Sequence, residues 1–242
     1  MKKKSYQFIL LIFVILLLWI VGVFAADQNS SDVTLKTSSA EYDEKTGIIY
    51  AKGQSTIQWK GITMICPYLQ VDTLKQEAKS DGDIQVIWED KKISSKSLYF
   101  YGKDRKIIMT DIQGKGKDFS FQTKKMDFLF TPGKIVLTGE PLLTVNSFQI
   151  KPQQVDYSIN EKRWLASSVV ITKEGWFGQS KSAYYQEGSE FIVLEGNAQV
   201  EKGGNQLRGE KIFINVESGK VRVEGNVEIN IIPSEGEKPI VQ

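Results

Sequence analysis

A glycine-centred phrase returns along this chain at a near-fixed interval, and few folds tolerate such a rhythm. A β-rich run leads to Gly, and an apolar residue follows four places on. The phrase reads Ala51-Lys52-Gly53-Gln54-Ser55-Thr56-Ile57, then Gly82-Asp83-Ile84-Gln85-Val86, then Leu137-Thr138-Gly139-Glu140-Pro141-Leu142-Leu143. It returns as Leu194-Glu195-Gly196-Asn197-Ala198-Gln199-Val200 and Val223-Glu224-Gly225-Asn226-Val227-Glu228-Ile229. The glycines step by 29, 57, 57 and 29 residues, and each 57 divides into 28 and 29. Degenerate copies fall where this division places them, around Asp111 (Met109 to Gln113) and Ser167 (Leu165 to Ile171). Seven units of about 28 or 29 residues therefore predict an array in which each unit buries its apolar face against its neighbours.

Within a unit the hydrophobic period is two, as in strands with one buried face. Val221, Val223, Gly225, Val227 and Ile229 share one face; Lys220, Arg222, Glu224, Asn226 and Glu228 share the other. A second strand per unit alternates likewise, through Leu98 and Phe100, Met126 and Phe128, Val155 and Tyr157, Ala183 and Tyr185, and Ile212 and Ile214. Turn residues separate the strands at Asp43 to Gly47, Gly102 to Arg105, Pro132-Gly133, Glu187-Gly188, Gly203-Gly204-Asn205 and Ser218-Gly219. The expectation is an all-β chain of about fourteen antiparallel strands, with no helix after the N-terminal segment. Gly weakens a strand interior, so its recurrence on the inward row requires close packing of two sheets, a bend, or room for a ligand.

The N-terminus reads as an export segment over residues 1–26: Lys2, Lys3 and Lys4 precede an unbroken apolar run from Phe8 to Phe24. Val23-Phe24-Ala25 offers a cleavage point, and polar residues follow from Asp27 to Asp32. The run, at 1.5 Å per residue, also reaches roughly 26 Å, near the lower limit for a bilayer-spanning helix. Cleaved signal peptide and uncleaved inner-membrane anchor both remain open. The one cysteine, Cys66, lies too far downstream for a lipoprotein anchor and has no disulfide partner within the chain. It reads as a small core side chain.

Net charge is +2, and loss of the three N-terminal lysines would leave about one net negative charge. That balance gives no footing for nucleic acid. No histidine is present, which removes histidine-based triads, general bases and metal ligands. A single cysteine removes thiolate zinc clusters, no phosphate-binding glycine loop precedes a helix, and the carboxylates follow the polar alternation of strand faces. No catalytic residue, cofactor or metal is expected. The tryptophans at 59, 88, 164 and 176 read as core or rim packing, since no paired spacing supports carbohydrate stacking.

Gly196-Asn197-Ala198-Gln199-Val200 and Gly225-Asn226-Val227-Glu228-Ile229 resemble the phrase repeated in the LptA/OstA-like family of lipopolysaccharide-transport proteins. Ser39-Ala40-Glu41-Tyr42-Asp43 with Ile48-Ile49-Tyr50-Ala51-Lys52-Gly53 resembles that family's opening strand pair, and the likeness runs from about residue 33 to 232. Asp111, Ser167 and Pro141 depart from the pattern. The resemblance implies an open, twisted antiparallel β-jellyroll over 27–232, two facing sheets with acyl chains between them; the tail over 233–242, polar with two prolines, is expected from its composition to be disordered. It implies a periplasmic, non-enzymatic protein that shields lipopolysaccharide and passes it from inner to outer membrane. The first and last strands, Val33 to Tyr42 and Lys220 to Ile232, would be open edges. These would join other bridge proteins at either membrane, or a second copy head to tail, by strand addition.

The inward row supplies the candidate lipid-binding residues: Ile57, Val86, Leu143, Ile171, Val200, Val227 and Ile229, facing Leu98, Phe100, Met126, Phe128, Tyr157, Tyr185, Ile212 and Ile214. Two other architectures compete. A parallel β-solenoid of structural or adhesive function fits the repeat length, and an outer-membrane barrel would need aromatic girdles that neither face shows.

Overall fold

The computed structural model describes residues 34–59 and 61–231; the expected export segment and C-terminal tail lie outside them. Its strands are β1 (Thr34–Lys36), β2 (Ser39–Asp43), β3 (Ile48–Lys52), β4 (Ser55–Trp59), β5 (Ile62–Cys66), β6 (Leu69–Asp72), β7 (Glu77–Trp88), β8 (Lys91–Tyr101), β9 (Lys106–Lys115) and β10 (Phe119–Leu129). There follow β11 (Lys134–Thr138), β12 (Leu142–Val145), β13 (Phe148–Lys151), β14 (Gln154–Ser158), β15 (Arg163–Lys173), β16 (Trp176–Gln186), β17 (Phe191–Lys202), β18 (Asn205–Asn215), β19 (Val221–Glu224) and β20 (Glu228–Asn230). The described residues contain no helix.

Twenty strands exceed the expected fourteen because six ribbons are broken in the middle, β1/β2, β3/β4, β5/β6, β11/β12, β13/β14 and β19/β20; joined, the ribbons number fourteen. Neighbouring ribbons run antiparallel, as in the β7–β8, β15–β16 and β17–β18 pairs. A parallel solenoid cannot pair its coils this way. The all-β antiparallel architecture is consistent with a β-jellyroll.

The repeated phrase is the place where alternate ribbons bend. Gly53 (φ 77°), Gly82 (111°), Gly139 (76°), Gly196 (78°) and Gly225 (72°) all adopt positive φ. Asp111 does so at 50°, and in the other degenerate copy the bend falls on Ser168 (50°), one residue beyond the expected Ser167. Pairing register shifts beside several of these residues, between Asp81 and Ile84 and between Glu195 and Ala198. These are β-bulges, which bend a strand and increase its twist. The expected inward position of the glycines is therefore corrected: Gly53, Gly82, Gly139 and Gly225 are exposed, and the backbone needs them for the bend. Gly82→Ala is expected to cost about 1–3 kcal/mol, measured by urea unfolding, because its φ suits no L side chain. The new Cβ would also stand 3.0 Å from Pro67 Cγ.

The intervening ribbons bend differently. In β8, Ile93 and Ser95 are buried, then Ser97 and Leu98, so the inward parity slips by one residue. The sequence at the slip is Ser95-Lys96-Ser97, repeated as Thr123-Lys124-Lys125 in β10 and Ser180-Lys181-Ser182 in β16. In each copy the first hydroxyl donates to the carbonyl two residues on, at 3.2, 3.4 and 2.7 Å. This gives the backbone oxygen at the bend a side-chain partner. The central side chain then meets the neighbouring bulge: Lys96 Nζ pairs with Asp83 at 2.6 Å, and Lys181 packs beside Gly196.

Among the described residues the ribbons group into two compact units, 34–117 with Gln122–Gly133, and Asp118–Phe121 with 134–231. In the first, Leu35 and Ile57 from one side of the bend pack against Ile49, Ala51, Leu69 and Val71 from the other. In the second, Leu143, Val145 and Ile150 face Trp164, Ala166, Ala183 and Ile192 across a small cavity. Each unit thus folds its ribbons into two half-sheets with the apolar faces inward, as burial of side chains requires.

Candidate functional site

Cross-strand registers turn the alternating residues of separate ribbons into continuous inward rows. In the first unit one row runs Leu35–Ile57–Met64–Val86–Ile93–Gly114. The facing half-sheet carries Tyr42–Ile49–Val71–Ala78–Phe100–Ile107. Leu98 pairs with Met109 one step deeper. Phe128 joins the aromatic end of this unit through Phe130, with ring centroids 4.7 Å apart, and Phe130 meets Phe100 at 6.2 Å.

In the second unit one row runs Leu143–Ile150–Ile171–Gly178–Val200–Leu207–Ile229. The facing row is Ile135–Tyr157–Trp164–Tyr185–Ile192–Ile214–Val221, with Leu137–Val155–Ala166–Ala183–Leu194–Ile212–Val223 behind it. Four of the sequence-derived candidates, Leu143, Ile171, Val200 and Ile229, stand on a single row, and Tyr157, Tyr185 and Ile214 stand on its counterpart. Gly178 keeps the first row tight: a Cβ there would lie 2.6 Å from Ile171 Cγ2.

Burial divides the candidates. Val86, Leu98, Met126, Leu143, Tyr157, Ile171, Tyr185, Val200, Ile212 and Ile214 are buried, whereas Ile57, Phe100 and Phe128 are half-buried. Val227 and Ile229 are 50% and 57% exposed, because no described strand follows β20 to cover them. The interior is closely filled. The cavity in the second unit measures about 20 Å³ and has a wholly apolar lining, room for about one water or methyl group. No sequence signal pointed to Ile93, Ile112, Phe119, Phe121, Ile150 and Ile192, whereas Trp164 was expected in core or rim packing. All are buried, and those on β8 and β10 sit in half-ribbons whose parity slip hid them from a single period-two count.

The ends of the rows differ chemically from their middles. Trp59, Ile62, Trp88 and Lys91 are successive cross-strand partners at the hairpin end of the first unit. Lys91 lies 5.5 Å from the Trp88 ring and pairs with Asp90 at 3.2 Å and Glu89 at 3.9 Å. The Lys91 ammonium holds the Asp90 carboxyl below its usual range, chiefly by hydrogen bonding. At the corresponding end of the second unit, Lys173, Trp176, Lys202 and Asn205 are successive partners. The tryptophans that showed no paired spacing in sequence, Trp59, Trp88 and Trp176, thus share one structural position. Trp176 also spans toward the opposite half-sheet, with Cζ2 3.6 Å from where a Gly219 Cβ would stand.

Polar groups inside are few. Burial raises the Tyr185 phenol above its ordinary value, with a further contribution from the Asp118 charge, so it stays protonated. Trp164 packs against Phe119, Phe121 and Tyr157, and its indole N–H is buried without a hydrogen-bond partner. Cys66 is buried, and desolvation pushes its thiol up to about 11, leaving it an unreactive core side chain. Among the described residues no cluster of His, Cys, Asp or Glu could hold a metal ion.

Residues 34–220 match the family described as LptA/(LptD N-terminal domain) LPS transport protein. The chain belongs to this family. Its members are lipopolysaccharide-transport proteins, a non-enzymatic class, which agrees with rows built from aliphatic and aromatic side chains. Among solved structures, one similar chain is LptH, the LptA homologous periplasmic component of the conserved lipopolysaccharide transport device from Pseudomonas aeruginosa. It shows 14% identity and a TM-score of 0.23, with 84% of this chain and 96% of that chain covered. No curated protein matches the sequence. No helix of the described residues is long and apolar enough to cross a membrane.

Proposed function

We propose that this family member is a periplasmic bridge protein that shields the acyl chains of lipopolysaccharide between its half-sheets and passes the lipid from inner to outer membrane. The observation that carries the reading is the continuity of the inward apolar rows across successive ribbons. A lipid tail crossing water loses about 0.8 kcal/mol for every exposed CH₂, so a carrier must offer an unbroken apolar path rather than an isolated pocket. The filled interior means that loading parts the half-sheets at their hairpin ends, where Ile57, Phe100 and Phe128 are half-buried. Side-chain contacts are then exchanged for contacts with the guest.

The edges supply the partners. Among the described residues β1 and β2 pair on one side only, with β4 and β3, and β19 and β20 pair only with β18. Val227, Ile229 and Ile231, 50–70% exposed on the last ribbon, would be covered by a strand added from a bridge protein at either membrane or from a second copy head to tail.

A photo-crosslinking residue placed at Val200 or Phe128 is expected to capture lipopolysaccharide in cells, and one at outward Gln199 is not. Absence of adducts at every inward position, with a known carrier labelling well, would overturn the reading. The apolar run from Phe8 to Phe24 keeps a second reading in play, an inner-membrane-anchored partner of the same export system. N-terminal sequencing of the mature protein separates the two. A start near Ala26 or Asp27 belongs to the soluble bridge, and an intact Met1 to the anchored form.

A further inference from the structure

The end of the second unit's inward row carries charge where the pattern calls for apolar residues. Lys173 continues the buried series Val169, Ile171 on β15, and Lys202 continues Ala198, Val200 on β17. Lys173 is half-buried and Lys202 exposed, so the two lysines stand at the mouth of the row, where the lining meets water. They are cross-strand partners of Trp176, one on each side.

Each ammonium is seated on a ring: Lys173 Nζ lies 4.4 Å from the Phe148 centroid and Lys202 Nζ 4.6 Å from that of Trp176. The two rings meet edge to face at 6.2 Å. Such seating orders a lysine without neutralising it. Lys52, Lys96, Lys134 and Lys211 lie within 2.9 Å of carboxylates, and Lys91 at the mouth of the first unit is paired twice. Among the described residues, neither Lys173 nor Lys202 lies within ion-pair distance of a carboxylate.

Immediately inside the mouth, Val145 joins Phe148 across the strands and lines the apolar cavity, as does Trp164. Apolar space behind two uncompensated cations matches an amphiphile with acyl chains inside and an anion at the entrance. The cations stand two strands apart, about 10 Å at their backbones, and their four-carbon stems let both reach one anionic group.

We infer that Lys173 and Lys202 form a head-group site at the mouth of the second unit, which binds the phosphate of a phosphorylated lipid while Trp176 and Phe148 hold the two ammoniums in place. The inference rests on the reading of the inward rows as a lipid path and names the chemistry that path selects. The phosphate could belong to an acylated glucosamine or to a glycerophospholipid, and the test separates these sources.

The full chain with a photo-crosslinking residue at Val200 is offered bisphosphorylated lipid A, dephosphorylated lipid A or phosphatidylglycerol, each radiolabelled, at low and high salt. The unaltered lysines are expected to give about three- to ten-fold better capture of bisphosphorylated than of dephosphorylated lipid A at low salt, shrinking at high salt. The K173Q/K202Q chain is expected to capture the two forms equally, with a thermal midpoint lowered only slightly by loss of the two ring contacts. A matching fall in phosphatidylglycerol capture would extend the site to glycerophospholipids; a fall confined to lipid A assigns it to the phosphorylated sugar. A phosphate preference that survives in K173Q/K202Q would overturn the site, as would equal capture before substitution. A lowered midpoint with the preference intact would show lysines that only pack on rings. Failure to capture any of the lipids at Val200 would instead sink the lipid path itself.

Discussion

Leu194→Ala is expected to lower the unfolding free energy by about 2–5 kcal/mol, among the largest effects of any single substitution in the second unit. Leu194 is fully buried, paired with Ala183 on one side and Ile212 on the other. With Ala183 so small a neighbour, little can move in to refill the space. The loss comprises the transfer free energy of the removed atoms and the cavity left behind. Urea unfolding of the two proteins measures it. The same experiment addresses function, because an apolar void inside a lipid path can be refilled by an acyl chain. Added lipid A should recover part of the loss, stabilising the variant more than the parent by mass action. A deficit equal with and without lipid would mark Leu194 as plain core, inaccessible to a guest.

Val200→Asp and Gln199→Asp are expected to differ by several kcal/mol although the residues are adjacent. Val200 is buried on the inward row between Gly178 and Leu207, where a carboxylate would find no cation or donor on that row. An uncompensated charge in such a place costs about 3–5 kcal/mol, and the group will take up a proton before it ionises there. Gln199 faces outward between Gln179 and Arg208, and a carboxylate beside the arginine is expected to change stability by no more than about 0.5 kcal/mol. Thermal unfolding at neutral pH and at pH 4 checks both. The Val200→Asp deficit should shrink toward acid, because its carboxyl pKa is raised in the folded state and the neutral form is tolerated. Equal effects at 199 and 200 would mean that the inward row has been assigned to the wrong face.

The candidate rows were legible because strand alternation is local. Leu143, Ile171 and Val200 occupy equivalent places in their units, and burial of one strand face dictates that spacing before any partner is known. The same regularity misled at the glycines. Counted by parity, Gly225 belongs with Val223 and Val227, yet its φ of 72° makes it a bend. A bulge is defined by two residues facing one on the neighbouring strand, which no single strand can reveal. The Ser95-Lys96-Ser97 slip was equally invisible as structure, although its recurrence at 123–125 and 180–182 was present in the letters. Its meaning depends on hydroxyl-to-carbonyl bonds that exist only once the ribbon has bent.

The amino-acid order alone determined the seven-fold rhythm, the two ribbons in each unit, the absence of histidine and thiolate chemistry, and the family resemblance that the match over residues 34–220 bears out. Each of these is a matter of residue type and near-neighbour spacing. Tertiary structure alone decided where the ribbons fold over, that Val227 and Ile229 are left uncovered, how little space the interior keeps, and that Lys173 and Lys202 flank Trp176 at the mouth. Those outcomes depend on cross-strand register, which couples residues up to 26 positions apart in the chain, and a bulge of one residue is enough to reset it.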